Sequence, residues 1–212
     1  MEFFLLAFPA LFSIINPLGG AFVFLTATQR LQGAMREQMA RWIAIYSAII
    51  LIISFYVGGY VLSFFGISMP VLRVAGGIIL TMAGFRMLNQ GDDVEERKGV
   101  VEEAASYDAR RHAFFPLTLP ITAGPGTISV AIALGTKRQP GLDYGFALSS
   151  VLTVLVMCTL IYVLYRFADR ISLAIGETGT TVVARLMAFI LFCIGIEVLW
   201  SGARELLESL IL

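Results

Sequence analysis

The stretch that decides the fold is FFLLAFPALFSIINPLGGAFVFLTATQ, residues 3–29, which contains no charged side chain. It is longer than the about 20 residues that an α-helix needs to cross the hydrocarbon core of a bilayer. Three further charge-free runs follow at residues 42–72, 113–136 and 144–165. All four runs are continuously apolar and lack the alternation of membrane β-barrel strands, so they predict membrane-spanning helices.

The composition agrees with a membrane protein and excludes several other classes. Of the 212 residues, 58% are hydrophobic and 14% are charged, and the mean hydropathy of +0.85 excludes an ordinary soluble domain. Basic and acidic residues balance at 15 each, so no net charge indicates a nucleic-acid partner. The chain has no zinc-protease, serine-hydrolase, Walker or dinucleotide-binding motif, and we expect neither an enzyme nor a bound cofactor or metal.

The run at residues 42–72 holds two spans, because the segment from Gly66 to Pro70 supplies a turn near its end. The sequence therefore predicts an all-α membrane protein with six transmembrane helices. These helices are predicted at residues 3–26, 42–65, 71–88, 113–134, 145–167 and 182–203.

The distribution of basic residues predicts the orientation of these spans. Eleven of the 15 Lys and Arg residues flank the odd-numbered connections, and the other four flank the termini and the even-numbered connections. Since positive residues near span ends are retained in the cytoplasm, both termini are predicted to lie outside. The charged stretch at residues 91–112 then forms a cytoplasmic linker between two three-helix halves, residues 1–90 and 113–212.

Ordered sequence matches between the halves predict an inverted repeat. The segment from Asn16 to Gly19 aligns with Gly124 to Gly126, and residues 72–76 align with residues 184–188, each with arginine in second place. Because each half has three spans, the second half must enter the membrane from the opposite side. Inverted repeats are common in secondary transporters, and some channels share the architecture.

The first and fourth helices are predicted to break near the membrane midplane. Asn16 is a preferred N-cap and Pro17 a preferred first helical residue, which together predict a second helix start inside the first span. Gly124 and Pro125 predict the equivalent start in the fourth span. Two ordinary proline kinks, repaired by neighbouring helices, are the alternative interpretation.

Helix N-termini offer partial positive charge and free N–H groups, which suit a carboxylate or another small anion. Such free N–H groups are predicted at Leu18, Gly19, Gly20, Gly126 and Thr127, with nearby hydroxyl groups on Ser13, Thr122 and Thr127. The predicted substrate-binding residues are Ser13, Asn16, Pro17, Leu18, Gly19, Gly20, Thr122, Ala123, Gly124, Pro125, Gly126 and Thr127.

Three charged residues are candidates for coupling or gating. Arg73 and Arg185 occupy matching positions of the repeat, and snorkelling to the membrane interface is the alternative for both. Glu197 is the one acid embedded in a span. It is interpreted as a proton site, as the partner of Arg73 in a structural ion pair, or as an interfacial acid.

The motifs Asn16-Pro17-Leu18-Gly19 and Ala123-Gly124-Pro125-Gly126-Thr127-Ile128, with arginine-led third and sixth helices, resemble the MarC family of inner-membrane proteins. The resemblance covers nearly the whole chain and implies a location in the cell inner membrane. It also implies a proton- or cation-coupled transporter of small neutral amino acids such as glycine, alanine and serine.

The expected partners are accordingly a zwitterionic amino acid and membrane lipid, without nucleic acid, and the sequence leaves a homo-oligomer open. The alternatives are a passive channel for small polar solutes and a non-transporting membrane scaffold.

Overall fold

The computed structural model describes residues 2–28, 31, 33–89, 109–136 and 144–211, and all regular structure in these ranges is helical. The α-helices are α1 (Glu2–Ile15), α2 (Pro17–Ala27), α3 (Gly33–Tyr56), α4 (Gly58–Phe64), α5 (Met69–Asn89), α6 (Ala109–His112), α7 (Pro125–Thr136), α8 (Tyr144–Arg166) and α9 (Ala168–Ile211). A π-helical segment, Ala113–Thr122, lies between α6 and α7. The predicted all-α class is therefore confirmed for the described residues.

In the part of the chain that the structure describes, five stretches are long and apolar enough to cross a membrane. They are Phe3–Leu25, Gly33–Tyr56, Met69–Arg86, Tyr144–Arg166 and Thr181–Ser209. The sequence predicts a sixth span at residues 113–134. There the chain divides into the π-helical segment and α7, so neither piece alone has the length of a span.

Helix ends differ from the predicted span ends because helices continue beyond the apolar runs. The predicted turn before α5 is confirmed, with Gly66 in the left-handed region at φ 67° and the helix beginning at Met69. In contrast, α3 begins nine residues before the predicted start of its span, since residues 33–41 are helical although they include Arg36, Glu37 and Arg41. Likewise α9 begins at Ala168, and within it the backbone leaves helical geometry at Gly176.

The buried core lies between α1, α2, α3, the π-helical segment, α7 and α8. Its largest fully buried apolar side chains are Leu11, Phe24, Met39, Ile43, Leu51, Met157, Ile161 and Tyr165. None of these residues belongs to α5 or α9, which pack against the outside of this group and chiefly against each other.

Glycines let the antiparallel helices α5 and α9 approach to backbone contact. A Cβ atom at Gly77 would lie 2.6 Å from the Cα atom of Leu199, and one at Gly84 would lie 2.5 Å from the Phe192 nitrogen. On the facing helix, Gly195 occupies the equivalent close position against Thr81. Small residues at a helix interface allow this approach and increase van der Waals contact between membrane helices.

Most of the predicted cytoplasmic linker, residues 91–108, lies outside the described residues. Its last four residues, Ala109–His112, form the short helix α6. The predicted division into residues 1–90, 91–112 and 113–212 stays a prediction.

Candidate substrate site at two helix interruptions

The first interruption is the single residue Asn16, between the end of α1 and the start of α2. Its backbone has φ 46° and ψ 61°, the left-handed conformation that asparagine tolerates better than most residues. Its Oδ1 atom accepts a hydrogen bond of 3.2 Å from the Gly19 N–H. Pro17 follows at the first helical position, where its missing N–H costs no hydrogen bond. Asn16 is therefore the N-cap of α2.

The same side chain also joins α2 to α9. The Asn16 Nδ2 atom donates a hydrogen bond of 3.2 Å to the carbonyl oxygen of Met187. Gly19 makes room for this contact, since a Cβ atom there would lie 2.8 Å from the Met187 Cβ atom. The capping amide thus fixes both the start of α2 and its position against another helix.

The second interruption separates the π-helical segment from α7. Ala123 has φ −116° and ψ 58°, outside helical geometry, and α7 starts at Pro125. The Ala123 N–H donates to the Thr118 carbonyl at 2.9 Å, and the Ile128 N–H donates to the Gly124 carbonyl at 3.0 Å. The two interrupted segments lie together, because α1 packs against α7 and α2 packs against the π-helical segment.

Tyr165 of α8 contacts both interrupted segments. Its hydroxyl lies 2.8 Å from the Thr122 Oγ1 atom, and that threonine hydroxyl lies 2.8 Å from the Leu117 carbonyl. Because Thr122 has only one hydroxyl proton and the carbonyl can only accept, Tyr165 is the donor in their mutual bond. On its other side the Tyr165 hydroxyl fills the space where Gly20 would carry a Cβ atom.

Sequence reasoning did not select Tyr165, although one signal was present. A tyrosine in an apolar span needs a hydrogen-bond partner for its hydroxyl, and Tyr165 ends the charge-free run at residues 144–165. The ring is buried and stacks on Phe24 of α2, with 5.0 Å between ring centroids. Nothing local identified Gly20 and Thr122 as its contacts, since both are distant in sequence.

The predicted substrate-binding residues separate into a buried group, an exposed group and the half-buried pair Asn16 and Pro125. The buried group contains Pro17, Gly19, Gly20, Thr122, Ala123, Gly124, Gly126 and Thr127. The side chains of Ser13 and Leu18 are exposed, so the structure does not bring the Ser13 hydroxyl to the buried threonines.

Two of the five N–H groups that were predicted to be free are already bonded. The Gly19 N–H is bonded to the Asn16 side chain, and the Gly20 N–H donates to the Asn16 carbonyl at 2.9 Å. The cap therefore satisfies groups that the sequence assigned to a ligand. The amides of Leu18, Gly126 and Thr127 lie in the first turns of α2 and α7 and stay candidates for a ligand.

A cavity of about 210 Å³ opens beside the second interruption. It is lined by Gly124 and Pro125 and, from α5, by Ile79, Leu80, Met82, Ala83 and Arg86. Arg86 is the charged residue among these seven. The volume is below the about 300 Å³ at which sites for drug-sized ligands begin, so it suits a small molecule. The Arg86 guanidinium would favour an anionic group on such a molecule.

The three coupling or gating candidates lie away from this cavity lining. Arg73 forms its ion pair with Glu205 and not with Glu197, which corrects the predicted ion-pair alternative. The side chains of Arg185 and Glu197 are exposed, and within the described part of the chain neither makes an ion pair.

Replacing Arg73 with glutamine is expected to lower the free energy of unfolding by no more than about 1 kcal/mol, the usual limit for exposed ion pairs. The side chains of Arg73 and Glu205 are 27% and 48% exposed. Thermal unfolding in detergent measures the effect, and the charge-swapped pair Arg73→Glu with Glu205→Arg is expected to recover it. A variant with full stability and no transport would instead assign gating to Arg73.

A cluster of charged side chains lies where α3 begins and α8 ends. Arg36 is paired with Asp169 and donates to the Thr28 and Leu31 carbonyls at 3.1 Å and 3.2 Å. Beside it, Glu37 is paired with Arg166 of α8. This cluster joins the end of α2 and the start of α3 to the end of α8 and the start of α9.

Comparison with known proteins gives consistent matches over nearly the whole chain. A family model described as MarC family integral membrane protein matches residues 1–207. The inner membrane protein MarC of Citrobacter koseri is 31% identical over 205 residues, which cover 94% of this chain and 93% of the relative. The proteins of the same name from Escherichia coli O157:H7 and Salmonella typhimurium are 32% identical over the same shares. No solved structure matches.

Proposed function

The chain belongs to the MarC family of integral membrane proteins, and on this basis we propose that it is a secondary transporter of small neutral amino acids. The observation that carries the proposal is the contact between two interrupted helices, bridged by Tyr165, beside a small cavity with one arginine. Interrupted helices whose N-termini face a common site are how several transporter folds bind anionic substrate groups.

The proposed architecture is an inverted repeat of three spans, with both termini outside. It pairs α1 with the π-helical segment, α2 with α7, α3 with α8, and α5 with α9. Under this pairing, four helix contacts each have a counterpart between the paired elements. The contact of α1 with α8 corresponds to that of the π-helical segment with α3, and the contact of α2 with α9 corresponds to that of α7 with α5. The contact of α2 with α8 likewise corresponds to that of α7 with α3. The contact of α1 with α7 corresponds to that of the π-helical segment with α2.

The proposed substrate is a zwitterion such as glycine, alanine or serine. Its carboxylate would be bound at the start of α7, where the Gly126 and Thr127 amides and the Arg86 guanidinium supply donors. Leu80 lies against Gly126, since a Cβ atom on Gly126 would be 2.5 Å from the Leu80 Cγ atom. This close packing restricts the space beside the Gly126 amide, which favours a substrate with a small side chain over one with a large side chain.

Alternating access requires that one side of the site be closed. We assign the closed side to the Arg36–Asp169 and Glu37–Arg166 ion pairs, which the predicted orientation places in the cytoplasm. Opening would separate the start of α3 from the junction of α8 and α9. Coupling to a proton or another cation is part of the proposal.

Counterflow in proteoliposomes tests the proposal. Vesicles loaded with unlabelled alanine are expected to accumulate external labelled alanine with saturable kinetics, and internal substrate is expected to accelerate entry. Flux that does not saturate would indicate a passive channel, and no flux for glycine, alanine or serine would indicate a scaffold. Imposed proton and sodium gradients, each collapsed by its ionophore, identify the coupling ion.

Arg86→Gln is expected to raise the half-saturating alanine concentration about tenfold, because a charge-assisted hydrogen bond to the carboxylate is lost. Arg204→Gln is the matched control, since Arg204 is an exposed arginine paired with Glu208 on α9. Equal kinetics in the two variants would remove Arg86 from the substrate site.

A further inference from the structure

The outer side of α9 is apolar and has little cover from the rest of the chain. Only 12% of the most apolar stretch of its span, Thr181–Ser209, is buried, compared with 50% for Phe3–Leu25. Large apolar side chains remain exposed there, with Phe189 at 52% and Trp200 at 58%. Lipid can solvate such a surface, so apolar exposure alone does not indicate a partner.

Glu197 lies at the centre of this outer side. Gly195 packs against Thr81 of α5, and two further residues turn an α-helix by about 200°, which directs Glu197 away from α5. The Glu197 side chain is accordingly exposed, as are the side chains of Ile196 and Trp200 near it in the sequence. With 16 residues of the span before it and 12 after it, Glu197 is near the middle of Thr181–Ser209.

A carboxyl group in this place is not explained by lipid contact. Ionisable groups within membrane spans are rare, and they almost always face protein or a water-filled cavity. Within the described residues Glu197 has no ion pair, and its direction away from α5 separates it from the rest of the chain. A polar group from outside the chain would supply a hydrogen-bond partner for the Glu197 carboxyl group.

We propose that this partner is a second copy of the chain, and that the outer side of α9 is the interface of a homodimer. We define the α9 face as Leu186, Ile190, Cys193, Glu197, Trp200 and Ser201, all of which are exposed. In a two-fold pair about the membrane normal, each residue meets the same depth of the other copy. The face then has to be self-complementary.

The α9 face has this self-complementarity. Glu197 supplies an acceptor, while the Trp200 indole N–H is a donor and the Ser201 hydroxyl can donate, both about one helical turn further along. Each copy can therefore offer its donors to the Glu197 of the other copy. Hydrogen bonds of this kind contribute to association of membrane helices.

The chain carries its own probe of this interface. Cys193 is exposed one turn before Glu197, whereas Cys158, the other cysteine, is buried in α8. Copper-catalysed oxidation by oxygen in lipid vesicles converts two facing thiols to a disulfide, and oxygen accepts the two electrons. At a low ratio of protein to lipid, the unaltered chain is expected to form a disulfide-linked dimer.

The matched control moves the thiol to another exposed apolar surface. Cys193→Ser with Leu155→Cys places it on α8, where Leu155 is 60% exposed. This variant is expected to stay monomeric under the same oxidation. Equal cross-linking from positions 193 and 155 would mean random collision and would overturn the proposal.

Variants of Glu197 test the polar contact. Glu197→Gln keeps a donor and an acceptor and is expected to cross-link through Cys193 as the unaltered chain does. Glu197→Leu is expected to weaken dimerisation about tenfold, from the loss of hydrogen bonds between helices. Dimerisation that is unchanged in the leucine variant would overturn the assigned role of Glu197.

Single-molecule photobleaching of labelled protein in dilute vesicles provides a measurement independent of cysteine chemistry. Two bleaching steps are expected for the unaltered chain, and Glu197→Leu is expected to need about tenfold more protein per lipid to reach the same fraction of two-step traces. One step for the unaltered chain, or cross-linking of Cys193 only to a different protein in cells, would overturn the homodimer. These outcomes do not depend on whether the protein transports amino acids.

Discussion

Replacing Asn16 with alanine is expected to lower the free energy of unfolding by about 3 kcal/mol, because three contributions are lost together. Alanine is strained by about 1–2 kcal/mol in the left-handed conformation that residue 16 adopts, with φ 46°. It also removes the cap on Gly19 and the hydrogen bond to Met187. Unfolding of the purified protein in mixed detergent and SDS measures the change.

Two further variants of Asn16 separate these contributions. Asn16→Gly removes both side-chain bonds but accepts the left-handed backbone, so it is expected to be more stable than Asn16→Ala. Asn16→Asp keeps the acceptor for Gly19 and loses the donor to Met187, which tests the contact with α9 alone. Equal stability of the glycine and alanine variants would show that the backbone conformation contributes nothing.

The same series tests the proposed site. If α2 and α9 move together during transport, Asn16→Asp is expected to lower the rate of alanine exchange by a larger fraction than it lowers the free energy of unfolding. A variant with normal exchange and lowered stability would restrict Asn16 to a structural role. Counterflow and unfolding measured on the same preparation make the comparison.

Replacing Gly20 with alanine is the second large change. The added Cβ atom overlaps the Tyr165 hydroxyl oxygen, and overpacking of this kind costs about 1–3 kcal/mol. Tyr165 cannot easily retreat, because its hydroxyl is bonded to Thr122 and its ring is stacked on Phe24. We expect a lower unfolding temperature and lower alanine exchange.

The double variant Gly20→Ala with Tyr165→Phe is expected to recover part of this loss. Without the hydroxyl, the nearest remaining ring atom is Cζ, at 3.2 Å from the added Cβ atom, a contact that a small shift relieves. Tyr165→Phe alone is expected to cost about 1 kcal/mol, since Thr122 keeps its bond to the Leu117 carbonyl. Strictly additive losses in the double-mutant cycle would contradict direct contact between Gly20 and Tyr165.

Several features of the fold followed from local sequence alone. Charge-free runs predicted helices because a span has to satisfy its backbone internally and keep charges out of hydrocarbon. The start of α2 followed from Asn16 and Pro17, whose preferences for the cap and the first helical position need no distant contact. The start of α7 followed in the same way from Gly124 and Pro125.

The positions at which helices end outside the apolar runs could not be predicted from local sequence. The predicted spans stop where apolar residues stop, whereas α3 and α9 continue through polar residues. Backbone hydrogen bonding extends a helix until a residue ends it, and hydropathy does not report on that. The predicted ends of α3 and α9 were therefore wrong. The span predicted at residues 42–65 lies at Gly33–Tyr56 instead, and the rest of the predicted stretch holds the separate helix α4.

By itself, the sequence determined an all-helical membrane protein and the helix starts at Pro17 and Pro125, because backbone preferences and hydrophobicity act over a few neighbouring residues. The tertiary structure decided the partners of the side chains: Met187 for Asn16, Tyr165 for Thr122, and Glu205 for Arg73. Each of these pairs joins residues at least 43 positions apart, so only packing of the helices can bring them together. The same packing directs Glu197 outward, away from Arg73, since the side of α9 that faces α5 is already filled by glycine contacts.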